Sequence, residues 1–334
     1  MRKLLGVPPV QILAARAAIV RELRHFFVER DYLEVEPPTL LPTTGLEIHI
    51  SSLESSLRVP TSVAERPAPQ PAYLHTSPEF ALKKLLACGY DRVFSVCKVF
   101  RDGEISERHN VEFTMLEWYR AHTDADALMQ ETEELVRTLA GLVPSPPPAL
   151  LRPYHRVSFR QAFAALGIDF DQIEEGDAAA FGRAAEKAGI RVARDDGFDD
   201  IFHRVCLEKI EPRLAGAVFV HDYPVELAVL ARRNPARPRF AERFELFVDG
   251  LELCNGFSEL TDAVEQRARF VFEQKERERR GLPVYPLDEK FLQALATVPR
   301  SAGNALGVDR LVMLLLGAGA IDSVLPFSTR RLFV

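Results

Sequence analysis

The residues of this chain that could do chemistry are concentrated in two charged hairpins. The first is Val93 to Arg120, VFSVCKVFRDGEISERHNVEFTMLEWYR. Its flanks are rich in Val, Phe, Trp and Tyr, and its middle holds Asp102-Gly103, Asn110 and most of the charge, so strands at 93–100 and 111–119 joined by a long polar loop are predicted. Side chains alternate along a strand, which puts Phe113, Met115, Glu117 and Tyr119 on one face and Glu112, Thr114, Leu116 and Trp118 on the other. For a lone strand, this is a half-buried hairpin with one acidic residue at its wet end. Arg101 and His109 bracket the loop, however, and a guanidinium, an imidazole and an aromatic face suit phosphate and adenine.

The second hairpin is RFELFVDGLELCNGFSEL, with Asp249-Gly250 as a two-residue turn signal. Pairing Val248 with Leu251 sets Phe247 opposite Glu252 and Glu245 opposite Cys254, so Glu245 and Glu252 become diagonal neighbours roughly 7–8 Å apart. Two carboxylates so placed repel unless a cation sits between them, and oxygen ligands of this kind suit Mg²⁺ bridging to phosphate. The alternative, that both point to water, fits poorly with Phe247 and Cys254 on the same side. A third charge, Arg310, falls in the first turn of an apolar helix predicted to be capped at Asp309 and closed by Gly317. A cation near a positive dipole end calls for an anion, and nucleotide phosphate would serve. Glu79 needs no such partner, because an acidic residue in a helix first turn is favoured by the dipole alone.

The elements that must position these groups follow from pattern and punctuation. Residues 11–30 place Ile12, Ile19, Leu23, Phe26 and Phe27 at helical spacing and run into LEVEPP, a short strand ended by a double proline. Four prolines mark 60–71 as a surface loop, and TSPEFALKKLL starts a helix with Ser77 as cap and Pro78 at its first position. Thr123 or Asp124 caps a helix that stops at Gly141, before the PSPPP crossing at 144–148. Helices are predicted at 158–166, 178–188 and 200–214, then a buried strand at 217–224. Residues 262–280 form a charged helix whose KERERRG end reads as a solvated face.

Composition bounds the function. The chain has 334 residues, 47% hydrophobic and 27% charged, enough for a full core, and its net charge of −6 lacks the footprint of a non-specific nucleic-acid binder. Cys88, Cys97, Cys206 and Cys254 are too scattered for metal or redox spacing and read as packed thiols in a reducing compartment. The N-terminus lacks a signal core and the apolar run at 311–320 is too short for a membrane span, so a cytoplasmic protein with no membrane association is expected.

Three separated stretches then converge. FRDGEISERHNVEFTMLEWY resembles motif 2 of class II aminoacyl-tRNA synthetases, GNALGVDRLVML resembles motif 3, and the first helix with LEVEPP resembles motif 1. TSPEFALKKLL, VELAVLARRN and ERFELFVDGLELCNGFSELTDA narrow the match to the lysyl branch. With no room for an anticodon-reading OB-fold before the first helix, and with Trp before Tyr in FTMLEWYR, the chain is most similar to the elongation factor P–lysine ligase family, a freestanding catalytic core.

That resemblance implies an α+β fold, an antiparallel sheet flanked by helices with a helical insertion at about 145–215, as a single catalytic domain over 1–334. It implies ATP and Mg²⁺ as cofactors, lysine or (R)-β-lysine as substrate, elongation factor P as acceptor and a homodimer paired through motif 1. Arg101 and Arg310 would be catalytic, on the α- and γ-phosphates. Glu104, His109, Asn110, Phe113, Leu253 and Gly307 would bind ATP, together with Glu245 and Glu252, which would also hold the metal. Ser77, Glu79, Glu117, Tyr119, Asn255, Glu259 and Ala305 would receive the amino acid. Two positions depart from the family pattern: the motif 2 glutamate is displaced by one, in Arg101-Asp102-Gly103-Glu104, and Ala305 stands where lysyl-tRNA synthetases have glycine. The rival expectations are a truncated synthetase that charges tRNA, disfavoured by the acidic balance, and a non-catalytic adenylate or amino-acid sensor.

Overall fold

The computed structural model describes residues 7–60 and 67–333; the first residues of the N-terminal stretch and residues 61–66 of the proline-rich loop lie outside the described residues. The chain divides into two compact units, one comprising residues 1–121, 261–299 and 305–334 and the other residues 122–260 and 300–304.

The first unit opens with α1 (Val10–Val28), which buries Ile19, Leu23, Phe26 and Phe27 as its spacing predicts. Then come β1 (Leu33–Glu34), β2 (Leu40–Leu41), β3 (Glu54–Leu57) and β4 (Gln70–Leu74). Strands β2, β4 and β3 form a small antiparallel sheet with β4 at its centre, so the proline-rich stretch is not loop to its end: Pro71 pairs with Ser56 of β3, beyond Tyr73 and Leu74, the residues that pair with β2. Helix α2 (Glu79–Ala87) leads to β5 (Arg92–Phe100) and β6 (Glu112–Ala121), the predicted long-looped hairpin, in the register Val93–Tyr119, Ser95–Glu117 and Val99–Phe113. β1 adds parallel to β5. One face of β6 buries Trp118, whose ring lies 5.2 Å from that of Phe27, itself stacked 5.0 Å from Phe94. That aromatic packing fixes the sheet against α1 and leaves the Phe113–Tyr119 face to carry chemistry.

In the second unit, α3 (Ala125–Ala140) is capped by Asp124, whose carboxylate accepts the Ala127 N–H at 3.2 Å. After α4 (Pro148–Leu151) and β7 (His155–Ser158), the chain runs through α5 (Phe159–Ala164), α6 (Ala178–Lys187) and α7 (Phe198–Val205), which share a phenylalanine-rich core including Phe163, Phe170, Phe181 and Phe202. β8 (Ala217–Pro224), the short β9 (Arg233–Asn234), β10 (Arg237–Val248) and β11 (Leu251–Ser258) complete its sheet. β10 is antiparallel to both β8 and β11, and β7 is parallel to β8.

The chain then re-enters the first unit with α8 (Ala263–Arg279) and α9 (Glu289–Leu295). It continues through β12 (Ser301–Gly307), whose residues to Asn304 count with the second unit and from Ala305 with the first, and ends with α10 (Val308–Leu315) and α11 (Thr329–Phe333). The architecture is the expected α+β type, with largely antiparallel sheets carrying helices. Among the described residues no helix is long and apolar enough to cross a membrane.

Four local expectations need correction. Pro78, not Ser77, is the residue before α2; the Ser77 hydroxyl still accepts the Glu79 N–H at 3.0 Å, from one position further out. Helix α10 starts at Val308 after Gly307, so Asp309 is not its cap. Asp309 is fully buried, accepts the Thr114 N–H at 2.8 Å and pairs with Arg16 at 2.5 Å, which fastens the helix to β6 and α1. The KERERRG end of α8 is not wholly solvated: Arg277 is buried over the Tyr285 ring and donates to the carbonyls of Glu47, Ile50 and Pro283. Of the four thiols, Cys206 and Cys254 are buried, whereas Cys88 is exposed.

Candidate functional site

In the first unit, β6 and the start of α2 bring one group of predicted residues together. Glu117, 1% exposed, accepts from Ser77 Oγ at 2.5 Å and from Tyr119 Oη at 3.1 Å. Burial pushes its carboxyl up to about 8, with Glu79 adding a smaller push and the two hydroxyls and Lys83 opposing it. Glu79 lies in the first turn of α2 and is held by Lys83, one helical turn on and itself fully buried. Its carboxyl is also raised, first by burial, with Lys83 pulling it back. A buried carboxyl held near neutrality and lined by hydroxyl donors takes up its charge when an ammonium arrives.

The loop end of the same hairpin assembles a second group. The Arg101 guanidinium lies 5.3 Å above the Phe113 ring and 3.8 Å from Glu104, so the displaced glutamate reaches back to the arginine. Arg310 donates to His109 Nε2 at 2.5 Å, and His109 Nδ1 lies 2.7 Å from Ser106 Oγ, so the ring carries its proton on Nδ1. Arg310 also reaches the Arg108 carbonyl. The Asn110 amide is engaged at both ends, by the Glu112 carbonyl and by the Thr329 N–H, and fixes where the loop re-enters β6. Two cations, an imidazole and a ring thus line one loop, which is what a polyphosphate and a purine require.

In the second unit, the Asp249-Gly250 turn forms as predicted, with φ of 48° and 77°. The register departs from expectation one step later. Phe247 pairs with Glu252, but a bulge then sets Leu246 opposite Cys254 and Glu245 opposite Asn255. Leu253 is the extra, buried residue. The bulge keeps Glu245 and Glu252 on one face and brings Asn255 onto it, while Cys254 moves to the opposite face and bonds Asn304.

Arg243 organises this face. It donates to Glu245 Oε1 at 2.6 Å, to Asn255 Oδ1 at 3.0 Å and to the Leu227 carbonyl, and it stacks 4.2 Å from the Tyr223 ring. Burial nevertheless raises Glu245 to about 7, and Glu252 adds to the push. Two half-buried, mutually repelling carboxylates fit a divalent cation as a donor set. Among the described residues no group of three or more His, Cys, Asp or Glu side chains is placed to hold a metal ion. Glu259 is buried and its N–H donates to the Ser301 carbonyl at 2.9 Å. On β12, Ala305 is half-buried and Gly307 ends the strand ahead of α10.

Sequence reasoning missed Lys83 and Arg243. Both leave a visible signal, a lysine four residues after Glu79 on a helix and an arginine two residues before Glu245 on a strand.

Comparison with known proteins now bears on these sites. The family model for tRNA synthetases class II (D, K and N) matches residues 9–331. A protein of Avibacterium paragallinarum named elongation factor P–(R)-β-lysine ligase is 38% identical over 322 residues, 96% of this chain and 95% of the relative. Ligases of the same name from Erwinia tasmaniensis and Salmonella paratyphi B are each 38% identical over 324 residues, again 96% of this chain and 95% of theirs. The motif resemblance and the whole-length likeness agree, and the chain belongs to the class II (D, K and N) tRNA synthetase family.

Proposed function

We propose that this protein is an ATP-dependent ligase that activates (R)-β-lysine, or lysine, as its adenylate and transfers it to the ε-amine of a lysine on elongation factor P. The observation that carries the reading is the meeting of two carboxylates, Glu79 on Lys83 and Glu117 on Ser77 and Tyr119, an ammonium-binding set, in a chain 38% identical over 96% of its length to ligases with that name.

In the first step the amino-acid carboxylate attacks the α-phosphorus of ATP and pyrophosphate leaves. Arg101, braced over Phe113, meets the charge that develops at the α-phosphate, and Arg310, steered by His109, meets the γ-phosphate. Glu245 and Glu252 would hold Mg²⁺, which when bound would offset phosphate charge. Arg243 keeps Glu245 oriented for that role. Glu79 and Glu117 take the substrate ammonium, with Ser77 and Tyr119 fixing the Glu117 carboxyl. In the second step a neutral acceptor amine attacks the adenylate carbonyl and AMP leaves.

The apolar residues exposed on α1, β1 and β2, namely Val10, Val28, Leu33 and Leu40, suit a homodimer through this element, which sedimentation tests. Free thiols and the absence of a membrane-crossing helix among the described residues suit the cytoplasm. Pyrophosphate exchange with α-lysine and β-lysine in parallel, followed by transfer of labelled lysine to elongation factor P or to tRNA, tests the whole reading. Exclusive labelling of tRNA would replace the proposed acceptor, and failure to form an adenylate with either isomer would sink the activity.

A further inference from the structure

The ammonium-binding set contains one carboxylate more than its proposed role requires. Glu47, on the segment between β2 and β3, acts on Glu79 as a like charge. It sits against the backbone there because residue 45 is glycine: a Cβ at that position would lie 2.5 Å from Glu47 Oε2 and 3.2 Å from Thr76 Oγ1. Glu47 Oε2 is buried without a hydrogen-bond partner. Two carboxylates, Glu79 and Glu117, therefore share a single lysine, Lys83, which is fully buried, while Glu47 crowds Glu79 from a third segment.

Helix α8 brings two charged groups to the Glu47 segment, Arg277 on the Glu47 carbonyl and Glu273 on the Ile48 N–H, whereas the other groups nearest Glu79 and Glu117 bring none. Burial pushes the Cys97 thiol of β5 up to about 12, so it stays neutral, and Ser95 is the cross-strand partner of Glu117. Burial lowers His75, whose ring nitrogen lies 2.7 Å from the Lys98 carbonyl. From α9 comes only the Phe291 ring, 5.9 Å from Lys83 Nζ.

We propose that Lys83 is a positioning residue, the resident counter-ion that keeps Glu79 ionised, and that a substrate alkylammonium enters in exchange for a proton held on Glu117. This rests on the ammonium-binding role assigned above to Glu79 and Glu117. Ionised together, Glu79 and Glu117 face one lysine, and the empty set relieves the excess negative charge by protonating Glu117. When the ammonium arrives, the Glu117 O–H bond breaks, the carboxylate pairs with the ligand, Ser77 and Tyr119 go on donating to it, and the proton leaves to solvent.

Titration calorimetry of the full chain near pH 7, in buffers of low and high ionisation enthalpy, reads this exchange. L-lysine and (R)-β-lysine should each release about one proton on binding, and norleucine, which lacks the side-chain ammonium, should release none. Glu117→Gln should abolish the release. Lys83→Met, which leaves Glu79 without its counter-ion, should raise the release toward two protons and weaken lysine at least ~10-fold, a change in stoichiometry that a purely structural lysine would not produce. Lysine binding with the same heat in both buffers would overturn the exchange, and an unchanged proton count in Lys83→Met would overturn the role of Lys83. If Lys83→Met does not fold, the wild-type and Glu117→Gln counts still decide the exchange. A wild-type chain that neither binds nor activates lysine would instead overturn the proposed function itself.

Discussion

Each unit of this protein sets a pair of acidic residues at least half out of solvent, and each neutralises its pair differently. Around Glu79 and Glu117 the cation is a lysine and the remaining donors are hydroxyls. Around Glu245 and Glu252 it is an arginine whose guanidinium is already committed to a carboxylate, an amide and a carbonyl while it stacks on a tyrosine. An ammonium is a point charge on a flexible stem, and hydroxyls can turn. A guanidinium fork is planar and holds its partners in one geometry. The first arrangement suits a site whose occupant comes and goes with its own charge, and the second suits a site that must present fixed oxygens to a metal and a polyphosphate.

The largest expected effect lies on the fixed side. Glu245→Gln or Glu252→Gln should lower pyrophosphate exchange ~100-fold or more, because the lost charge acts on phosphates during the reaction. Loss of less than threefold would remove the distinction between the two regions. Arg243→Lys keeps the charge and loses the fork, and exchange should fall ~10- to ~100-fold, as for residues that orient a ligand. Near-normal exchange would show that the fork is dispensable.

On the exchangeable side the empty protein provides the readout. Glu117 binds its proton more tightly folded than unfolded, so its contribution to stability is complete at low pH and is lost as pH rises through about 8. Glu117→Gln, permanently neutral, should therefore melt with wild type at pH 5 and several degrees above it at pH 9, a difference bounded by about 4 kcal/mol. Parallel melting curves at both pH values would break the contrast. The smallest effect is expected at Ala305→Gly. Removing that methyl should favour α-lysine over β-lysine in relative exchange rate by about 1 kcal/mol. An unchanged ratio would move isomer selection away from β12.

The first hairpin was legible in sequence because alternation and register describe the same face: the period that places Phe113, Glu117 and Tyr119 together is the period of the observed ladder. The second was legible at its turn and not beyond it. Nothing in Leu-Glu-Leu-Cys marks Leu253 as an extra residue, since a bulge here uses no glycine, and one uncounted residue exchanges Cys254 for Asn255. The motif resemblance had Asn255 among the site residues where the hairpin model did not. Arg277 was misread for a related reason: a basic helix end looks solvated until the carbonyls that receive it are known, and two of the three lie more than 200 positions away.

That distance has a consequence for how the protein comes into being. The segment bearing Glu47 is held by Arg277 through carbonyls 230 and 227 residues earlier in the chain. A nascent chain emerging from the ribosome can form the β5–β6 hairpin long before Arg277 is synthesised, so this part of the ammonium site is completed near the end of translation. Until then the carboxylates of α2 and β6 are without the segment that crowds them.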